Sequence, residues 1–561
     1  MSPRRITYAF VLLLCVLVIA IPLPFGGMKL FWRHLFEAVI FLGCASLLIL
    51  KRSGRVDLAS HAPSVWRRRA ELAFILFLIW NALLLLPLPR AVFSSLFVHR
   101  AAVKSIELAS GALASSAGFS FWAGERELLV WICSFLLFSM TAGLAVSRRA
   151  IWMLVLAVAF SAAFQAVYGI YEYASGHQHI LGVPKKFYTS VATGTFVCRN
   201  HFAAYLMVSL VVVWAASVYL WRRGYSGDRA KSLVLAFWSF FVGAAIVASG
   251  ARGELLGCIV AVAGFHLILG RHAAERLKAY YLALLLMAGV VLMALWVGWE
   301  PLIVRVSPEG LRESGNRPVA WVASLKMIRE FGLIGAGLGS FGDLFMRYRP
   351  VGSGPSFRHA HNDYLELFAE SGAFGFALLV AFAVFAALYW FGRYRDRRSR
   401  FARTIGLACG MAAVGLAIDA LVNFPFRNPA VLWHFAIILG IGTSALERKR
   451  WTDGSFSRWT DRAGIRVLAA VFLLLALCLN SVRLAWTQRL LDRHGSIQRG
   501  EIRVAGDSLA VRREMLEAAL ALAPDDFRPR YEMAKLLHRS AALRGDGESY
   551  RAAVEHYRRS L

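Results

Sequence analysis

Long apolar runs recur along most of this chain, and they constrain its fold more than any other feature. A helix needs about 20 predominantly apolar residues to cross a bilayer, and roughly thirteen runs approach that length here. The runs lie at 6–24, 32–50, 71–88, 127–146, 150–172, 202–221, 232–249, 254–270, 279–298, 364–391, 404–423, 429–446 and 466–486. The pattern predicts an all-α, polytopic transmembrane helical bundle.

The distribution of basic residues predicts how the bundle lies in the membrane. The formal net charge of +29 could indicate a nucleic-acid partner, but most Lys and Arg residues lie in every second loop, as in Arg393 to Arg403. Such loops face the cytoplasm by the positive-inside rule. We therefore expect a multi-pass membrane protein with a cytoplasmic N-terminus, a C-terminus on the outer side and no nucleic acid. The longest outward segment is a loop over 299–361.

Metal and nucleotide chemistry find little support in the sequence. Six of the seven cysteines lie in apolar runs, and no CxxC spacing is present. The pairs His177/His179 and His359/His361 have no evident third ligand beside them. Gly335, Gly337 and Gly339 follow no strand and precede no P-loop lysine, so we interpret them as a tight turn or a place where the backbone approaches a lipid head group closely. We expect no cofactor and no metal.

The polar segment from Gly315 to Glu370 is unusually rich in Arg and His. Arg317 precedes a proline at the start of a predicted amphipathic helix, where free N–H groups and the helix dipole favour an anion such as phosphate. The alternative interpretation is a solvated surface arginine.

The motif His361-Asn362-Asp363-Tyr364-Leu365-Glu366 comes directly before an apolar run. A helix that begins near Asn362 places Glu366 and Glu370 on one face, and the dipole favours carboxylates in its first turns. A histidine at the water boundary can act as a base at neutral pH. The alternative is that His361 is a packing or capping residue.

Two further outward clusters carry arginine at the membrane boundary. Arg199, followed by Asn200 and His201, opens one apolar run, and Arg252 lies between two others. Arginine at membrane depth is costly and commonly functional, and guanidinium binds phosphate in a bidentate manner. Together with Arg317, these residues predict a polyanion site. The alternative is three unrelated arginines at the head-group boundary.

The chain changes character after residue 490. Residues 491–561 are charged and helical in pattern, with a Pro-Asp turn after Ala523 and a Gly-Asp-Gly turn after Arg544. The paired amphipathic helices resemble tetratricopeptide repeats, which bind protein partners. An amphipathic tail lying on the membrane is the alternative.

The motifs together resemble the O-antigen ligase and polymerase superfamily of bacterial polysaccharide assembly. The resemblance covers residues from about 190 to 420 and rests on order and spacing more than on any single motif. The matching motifs are GTFVCRNHFAAYL (Gly194 to Leu206), SGARGELLG (Ser249 to Gly257), NRPVAW (Asn316 to Trp321), FGLIGAGLGSF (Phe331 to Phe341) and HNDYLELFAESG (His361 to Gly372).

This resemblance implies a membrane glycosyltransferase of the bacterial inner membrane. The outer side of the bundle, with the loop 299–361 and the C-terminus, would then face the periplasm. Its members move a glycan from undecaprenyl diphosphate to a hydroxyl of a glycan or lipid-linked acceptor, such as lipopolysaccharide, at the periplasmic face, by inverting transfer without metal. In such a transfer the acceptor hydroxyl needs a positioned base, a role that we assign to His361. The departing diphosphate needs positive charge, a role that we assign to Arg199, Arg252 and Arg317. Supporting positions are Asn200, His201, Asn362, Asp363 and Glu366, with Glu366 or Asp363 orienting the imidazole of His361.

Two other function classes are compatible with the same residues. A transporter or flippase for the lipid-linked glycan would also need outward arginines, although no inverted repeat is evident. A non-catalytic assembly protein would use its outer loop and tail to bind partners. The expected layout is N-terminal membrane helices over 1–190, a ligase-like core over 191–425, C-terminal membrane helices over 426–490 and the repeat-like segment over 491–561.

Overall fold

The computed structural model describes residues 2–56, 64–89, 114–116, 118–145, 147–270, 317–350, 356–447, 461–502, 507–524, 526–544 and 546–560. Seventeen α-helices form nearly all the regular structure of these residues. In chain order they are α1 (Pro3–Ala20), α2 (Leu30–Arg52), α3 (Val65–Leu83), α4 (Phe121–Leu144), α5 (Arg148–Ala174), α6 (Arg199–Arg223), α7 (Ser226–Ala248), α8 (Arg252–Leu269), α9 (Arg317–Phe331), α10 (Phe341–Tyr348), α11 (Asp363–Asp396), α12 (Arg400–Asp419), α13 (Pro429–Glu447), α14 (Asp461–Gln498), α15 (Ser508–Leu522), α16 (Phe527–Arg544) and α17 (Gly547–Ser560).

Short elements complete the described structure. Two 3₁₀ turns, Phe25–Gly27 and Pro425–Arg427, connect helices. Two antiparallel pairs of very short strands also form: β1 (Pro87–Pro89) with β2 (Ala114–Ser116), and β3 (His179–Ile180) with β4 (Val183–Pro184).

Eleven of the described helices are long and apolar enough to cross a membrane. These eleven correspond to eleven of the predicted spans, so the prediction of an all-α polytopic bundle is confirmed. The predicted span 71–88 coincides with α3, whose first turns carry Arg67, Arg68, Arg69 and Glu71 and which falls outside the eleven. The predicted span 279–298 and most of the loop 299–361 lie outside the described residues.

The bundle is arranged around α6. Every residue of α6 from Arg199 to Leu220 is buried, because α5, α7, α8, α12 and α13 pack around it. A helix that is apolar on all faces must be enclosed in this way. The polar residues at its start, Arg199, Asn200 and His201, are therefore held rigidly at one end of the bundle, which we call the site end.

The glycine-rich turn after α9 braces the start of α11. Gly335, Gly337 and Gly339 all have positive φ, which confirms the predicted tight turn. The turn approaches the start of α11 closely: the N–H of Gly337 donates to the carbonyl of Glu370 at 2.7 Å. A Cβ on Gly335 would lie 2.2 Å from that same carbonyl oxygen, so only glycine fits. The turn thereby locks the kinked start of α11, where Gly372 has a φ of 68°.

The C-terminal segment folds as helix, turn, helix, turn, helix, as the sequence predicts. Helices α15, α16 and α17 share a small core of Leu516, Met533, Leu536, Leu537 and Ala553. Helix α14 continues beyond its apolar part to join this segment to α2, on which it packs. The assignment of these helices to tetratricopeptide repeats stays a prediction.

Candidate active site

The turn between α12 and α13, residues 420–428, organises the candidate site. The side-chain oxygen of Asn423 accepts hydrogen bonds from Asn200 Nδ2 at 2.6 Å and from Arg317 Nη2 at 3.4 Å. Its Nδ2 donates to Asp419 Oδ1 at 2.6 Å and to Glu254 Oε1 at 3.2 Å. One buried amide thus ties together the beginnings of three helices, α6, α8 and α9.

Each of those three helices contributes one of the predicted arginines at the site end. Arg199 begins α6 beside Asn200, Arg252 begins α8 two residues before Glu254, and Arg317 begins α9. Arg317 also donates to the carbonyl of Val422 at 2.8 Å. These arginines lie far apart in the sequence, and the fold brings them to one turn.

Charge is concentrated around Arg317. Burial lowers the pKa of the Arg317 guanidinium, the adjacent Glu254 carboxylate raises it, and the like charge of Arg252 lowers it. The Arg199 guanidinium lies over the ring of Tyr188, 5.4 Å from its centroid. Partly or fully buried guanidinium groups such as these bind phosphate oxygens more strongly than fully solvated ones.

Three histidines surround the ring of Phe424. His359 stacks on it with centroids 4.6 Å apart, while His361 and His201 meet it edge-on at 4.7 and 4.9 Å. The contacts fix the planes of all three imidazoles. Nothing in the sequence analysis singled out Phe424.

His361 has the environment of a base that is neutral at physiological pH. Burial, the nearby Arg317 charge and His359 lower the pKa of His361 to about 4. Its buried Nδ1 makes no hydrogen bond with any described residue. The backbone φ of His361 is 52°, a left-handed conformation that is strained for a residue other than glycine. Such strain is common where a side chain is held for function.

Glu366 holds His359 and not His361, so the expectation that Glu366 orients His361 is wrong. Its Oε1 lies 2.9 Å from His359 Nδ1, and its Oε2 accepts the N–H of Ala360 at 2.7 Å. The physical reason is the reversal of the chain at His361, which turns the ring of His359 back toward α11. Burial disfavours the charged form of His359, but the Glu366 carboxylate outweighs that effect and raises the pKa of His359.

A buried arginine that the sequence analysis missed anchors the acidic face of α11. Arg427 Nη2 lies 2.7 Å from Glu370 Oε2, and its Nε lies 3.3 Å from Glu366 Oε1 and 3.6 Å from Asp363 Oδ1. Burial opposes the charge of Arg427, but Glu366 and Glu370 outweigh it and raise its pKa. Two features of the sequence could have indicated this role for Arg427. It lies between two apolar runs, and the start of α11 carries three carboxylates on one face that need a positive partner.

Asn362, Asp363 and His201, which the sequence also predicts at the site, make hydrogen bonds that fix the start of α11 and the 420–428 turn. Asn362 caps α11 by accepting the N–H of Leu365 at 3.0 Å, which confirms the predicted helix start. Asp363 Oδ2 accepts the N–H of Phe426 at 3.0 Å, so it fixes the 420–428 turn and does not contact His361. His201 Nδ1 lies 3.3 Å from Asn428 Nδ2 in the same turn.

The described residues contain no group of three or more His, Cys, Asp or Glu side chains that could hold a metal ion.

Comparison with known proteins matches one part of the chain to a family model. Residues 235–380 match the family model Wzy_C, described as O-antigen ligase. This stretch includes Arg252, Arg317 and His361, and it supports a multi-pass membrane enzyme of O-antigen or polysaccharide assembly. No curated protein matches the chain.

Proposed function

We propose that this protein transfers a glycan from undecaprenyl diphosphate to an acceptor hydroxyl at the periplasmic face of the bacterial inner membrane. The observation that carries the proposal is the position of Arg317: it shares the Asn423 turn with the helix starts that bear Arg199 and Arg252, and its charge acts on His361. A polyanion site beside a neutral base matches what this transfer requires.

The proposed reaction is a single displacement with inversion. The acceptor oxygen attacks the anomeric carbon while the bond between that carbon and the phosphate oxygen breaks. His361 takes the proton of the acceptor hydroxyl. The diphosphate leaves with the bond's electron pair, and Arg199, Arg252 and Arg317 stabilise its growing negative charge.

The groups around His359 and His361 favour different charge states of the two side chains. Glu366 favours the protonated form of His359, whereas Arg317 and burial favour the neutral form of His361. Two adjacent histidines with pKa values pushed in opposite directions are suited to different tasks in one reaction. Arg427 pairs with Glu366 and Glu370 and holds them in place, and so supports His359 indirectly.

The test is turnover by the purified protein in nanodiscs that contain an undecaprenyl diphosphate-linked glycan, with a saccharide acceptor added. Formation of a new glycosidic bond with release of undecaprenyl diphosphate supports the proposal. In sealed vesicles, movement of the donor to the other leaflet without a new bond would instead establish a transporter. A protein that does neither, while well folded, would be a non-catalytic assembly protein.

A further inference from the structure

A second polar cavity lies between the membrane bundle and the C-terminal helices. Its volume is about 740 Å³, which is in the range of small-ligand pockets. Leu30 and Arg126, at the starts of α2 and α4, line one side. The end of α14 from Gln488 to Gln498, with Arg499 directly after it, and the face of α16 from Arg528 to Arg539 form the other sides.

The lining of this cavity is predominantly cationic. Five of its side chains carry positive charge and two are carboxylates, Asp492 and Glu532. The cations are Arg126, Arg499, Arg528, Lys535 and Arg539. A concave surface of one sign concentrates ligands of the opposite sign.

Two of these cations have no carboxylate partner within the described part of the chain. Arg499, Arg528 and Lys535 form ion pairs with nearby carboxylates at 2.7, 2.5 and 2.9 Å. Arg126 instead donates from Nε to the carbonyl of Trp122 at 3.0 Å. The like charges of Arg528 and Arg33 disfavour its charged form. The carboxylates of Glu127 and Asp526 favour it, although neither forms an ion pair with Arg126. Arg539, at the other end of the cavity, is exposed and makes no ion pair with a described residue. An anion bound in the cavity would compensate the positive charges of Arg126 and Arg539.

The position and shape of the cavity narrow the class of anion. Its floor is formed by Leu30 and Arg126, next to the points where the apolar stretches of α2 and α4 begin. The ends of membrane-spanning segments lie near the lipid phosphates. Guanidinium groups match phosphate oxygens in bidentate geometry. Tyr531, 45% exposed, offers an aromatic face at the wall, with Lys535 Nζ 5.2 Å from the ring centroid. Aromatic faces beside cations suit a phosphate that is attached to a sugar or a lipid head group.

The cavity adjoins the candidate active site through α4. Arg126 lines the cavity, and the next residue, Glu127, lies 3.9 Å from Arg427 Nη1 in the acidic cluster of α11. Glu127 also lies 3.7 Å from Arg33 Nη1, and Arg33 donates to the carbonyl of Arg126. A short chain of charged residues therefore connects the cavity to the residues that hold His359.

We propose that this cavity binds a phosphate group, carried either by a phosphorylated saccharide or by a membrane phospholipid. The cavity is separate from the three arginines assigned to the diphosphate. The proposal does not depend on glycan transfer, since binding is measured without turnover.

The experiment uses the full-length protein in neutral phosphatidylcholine nanodiscs, with glucose 1-phosphate as the probe and glucose as the uncharged control, measured by calorimetry. A second arm replaces part of the lipid with phosphatidylglycerol and counts retained lipids by native mass spectrometry. The variant is Arg126→Gln/Arg539→Gln. The matched control is Arg513→Gln, which removes an exposed arginine of α15 outside the cavity.

Binding of glucose 1-phosphate that weakens about tenfold or more in the double variant, but not in the control, supports a saccharide phosphate. Retention of phosphatidylglycerol with the same dependence supports a phospholipid. Because Arg539 is exposed, Arg539→Gln alone leaves the fold intact and keeps the test decisive if the double variant misfolds. The proposal is overturned if neither phosphate compound binds above its neutral control, or if the arginine variants bind as the wild type does.

Discussion

The pH dependence of transfer tests the environment of His361 directly. A general base must be neutral, and the structure lowers the pKa of His361 to about 4. At pH 5.5 a group with that pKa is neutral in roughly thirty molecules for each charged one, whereas an ordinary histidine of pKa near 6.5 would be about nine-tenths charged. We therefore expect kcat/KM at pH 5.5 to stay within about 10% of its plateau, instead of falling about tenfold.

The sign follows from the cause of the shift. Burial and the positive charge of Arg317 both disfavour the imidazolium, so neutral His361 persists to lower pH and is lost only as the pH falls through about 4. The assay is kcat/KM for the purified protein from pH 4 to 8, because this ratio reports the unliganded enzyme. His361→Ala should lose at least about 10²-fold in rate and the acid limb with it, at unchanged thermal stability.

Two results would refute this reasoning. An acid limb centred near pH 6.5 would mean that His361 titrates as an exposed histidine. A stable His361→Ala protein that keeps more than about a tenth of wild-type turnover would fall short of the smallest general-base effect expected.

Three other changes test the rest of the account. Arg317→Lys keeps the charge but loses the bidentate guanidinium, so we expect reduced turnover with normal membrane insertion. The control Arg329→Lys, at the exposed end of α9, should behave as the wild type. Equal activity of the two variants would mean that Arg317 is an ordinary surface charge. Arg427→Met leaves buried carboxylates uncompensated and should lower the free energy of unfolding by about 3–5 kcal/mol in denaturant titrations, and an unchanged midpoint would exclude the anchoring role. A single cysteine placed at Glu548 should react with a membrane-impermeant thiol reagent added from the periplasmic side. One placed at Ser399 should react only after the membrane is permeabilised. The reverse pattern would invert the predicted topology.

The helices could be predicted from the sequence because their determinants are local. Runs of apolar residues, the proline after Arg317 and the capping Asn362 each act within a few residues of the element they specify. Positive φ at Gly335 could likewise be expected from its glycine-rich context. The helix starts with arginine were recognisable because arginine at a membrane boundary is costly.

The arrangement around the 420–428 turn could not be predicted in the same way. Asn423 joins groups 223 and 106 residues away in the chain, and no local pattern specifies such partners. Arg427 and Phe424 lie in a short segment between two spans, where they resemble ordinary loop residues until α11 is packed against them. The pairing of Glu366 with His359 depends on a single backbone reversal at His361. Sequence spacing alone does not reveal that reversal, so it predicted a contact of Glu366 with His361 instead.

The anomeric configuration of the newly formed glycosidic bond tests the central claim most directly. It can be read by NMR on the product that the purified protein makes from a donor of known configuration. Direct displacement by a hydroxyl that His361 deprotonates predicts an inverted linkage as the sole product, formed at least about 10²-fold more slowly by His361→Ala. A product that retains the donor configuration would require a covalent glycosyl-enzyme intermediate or two successive displacements, and it would contradict the mechanism proposed here.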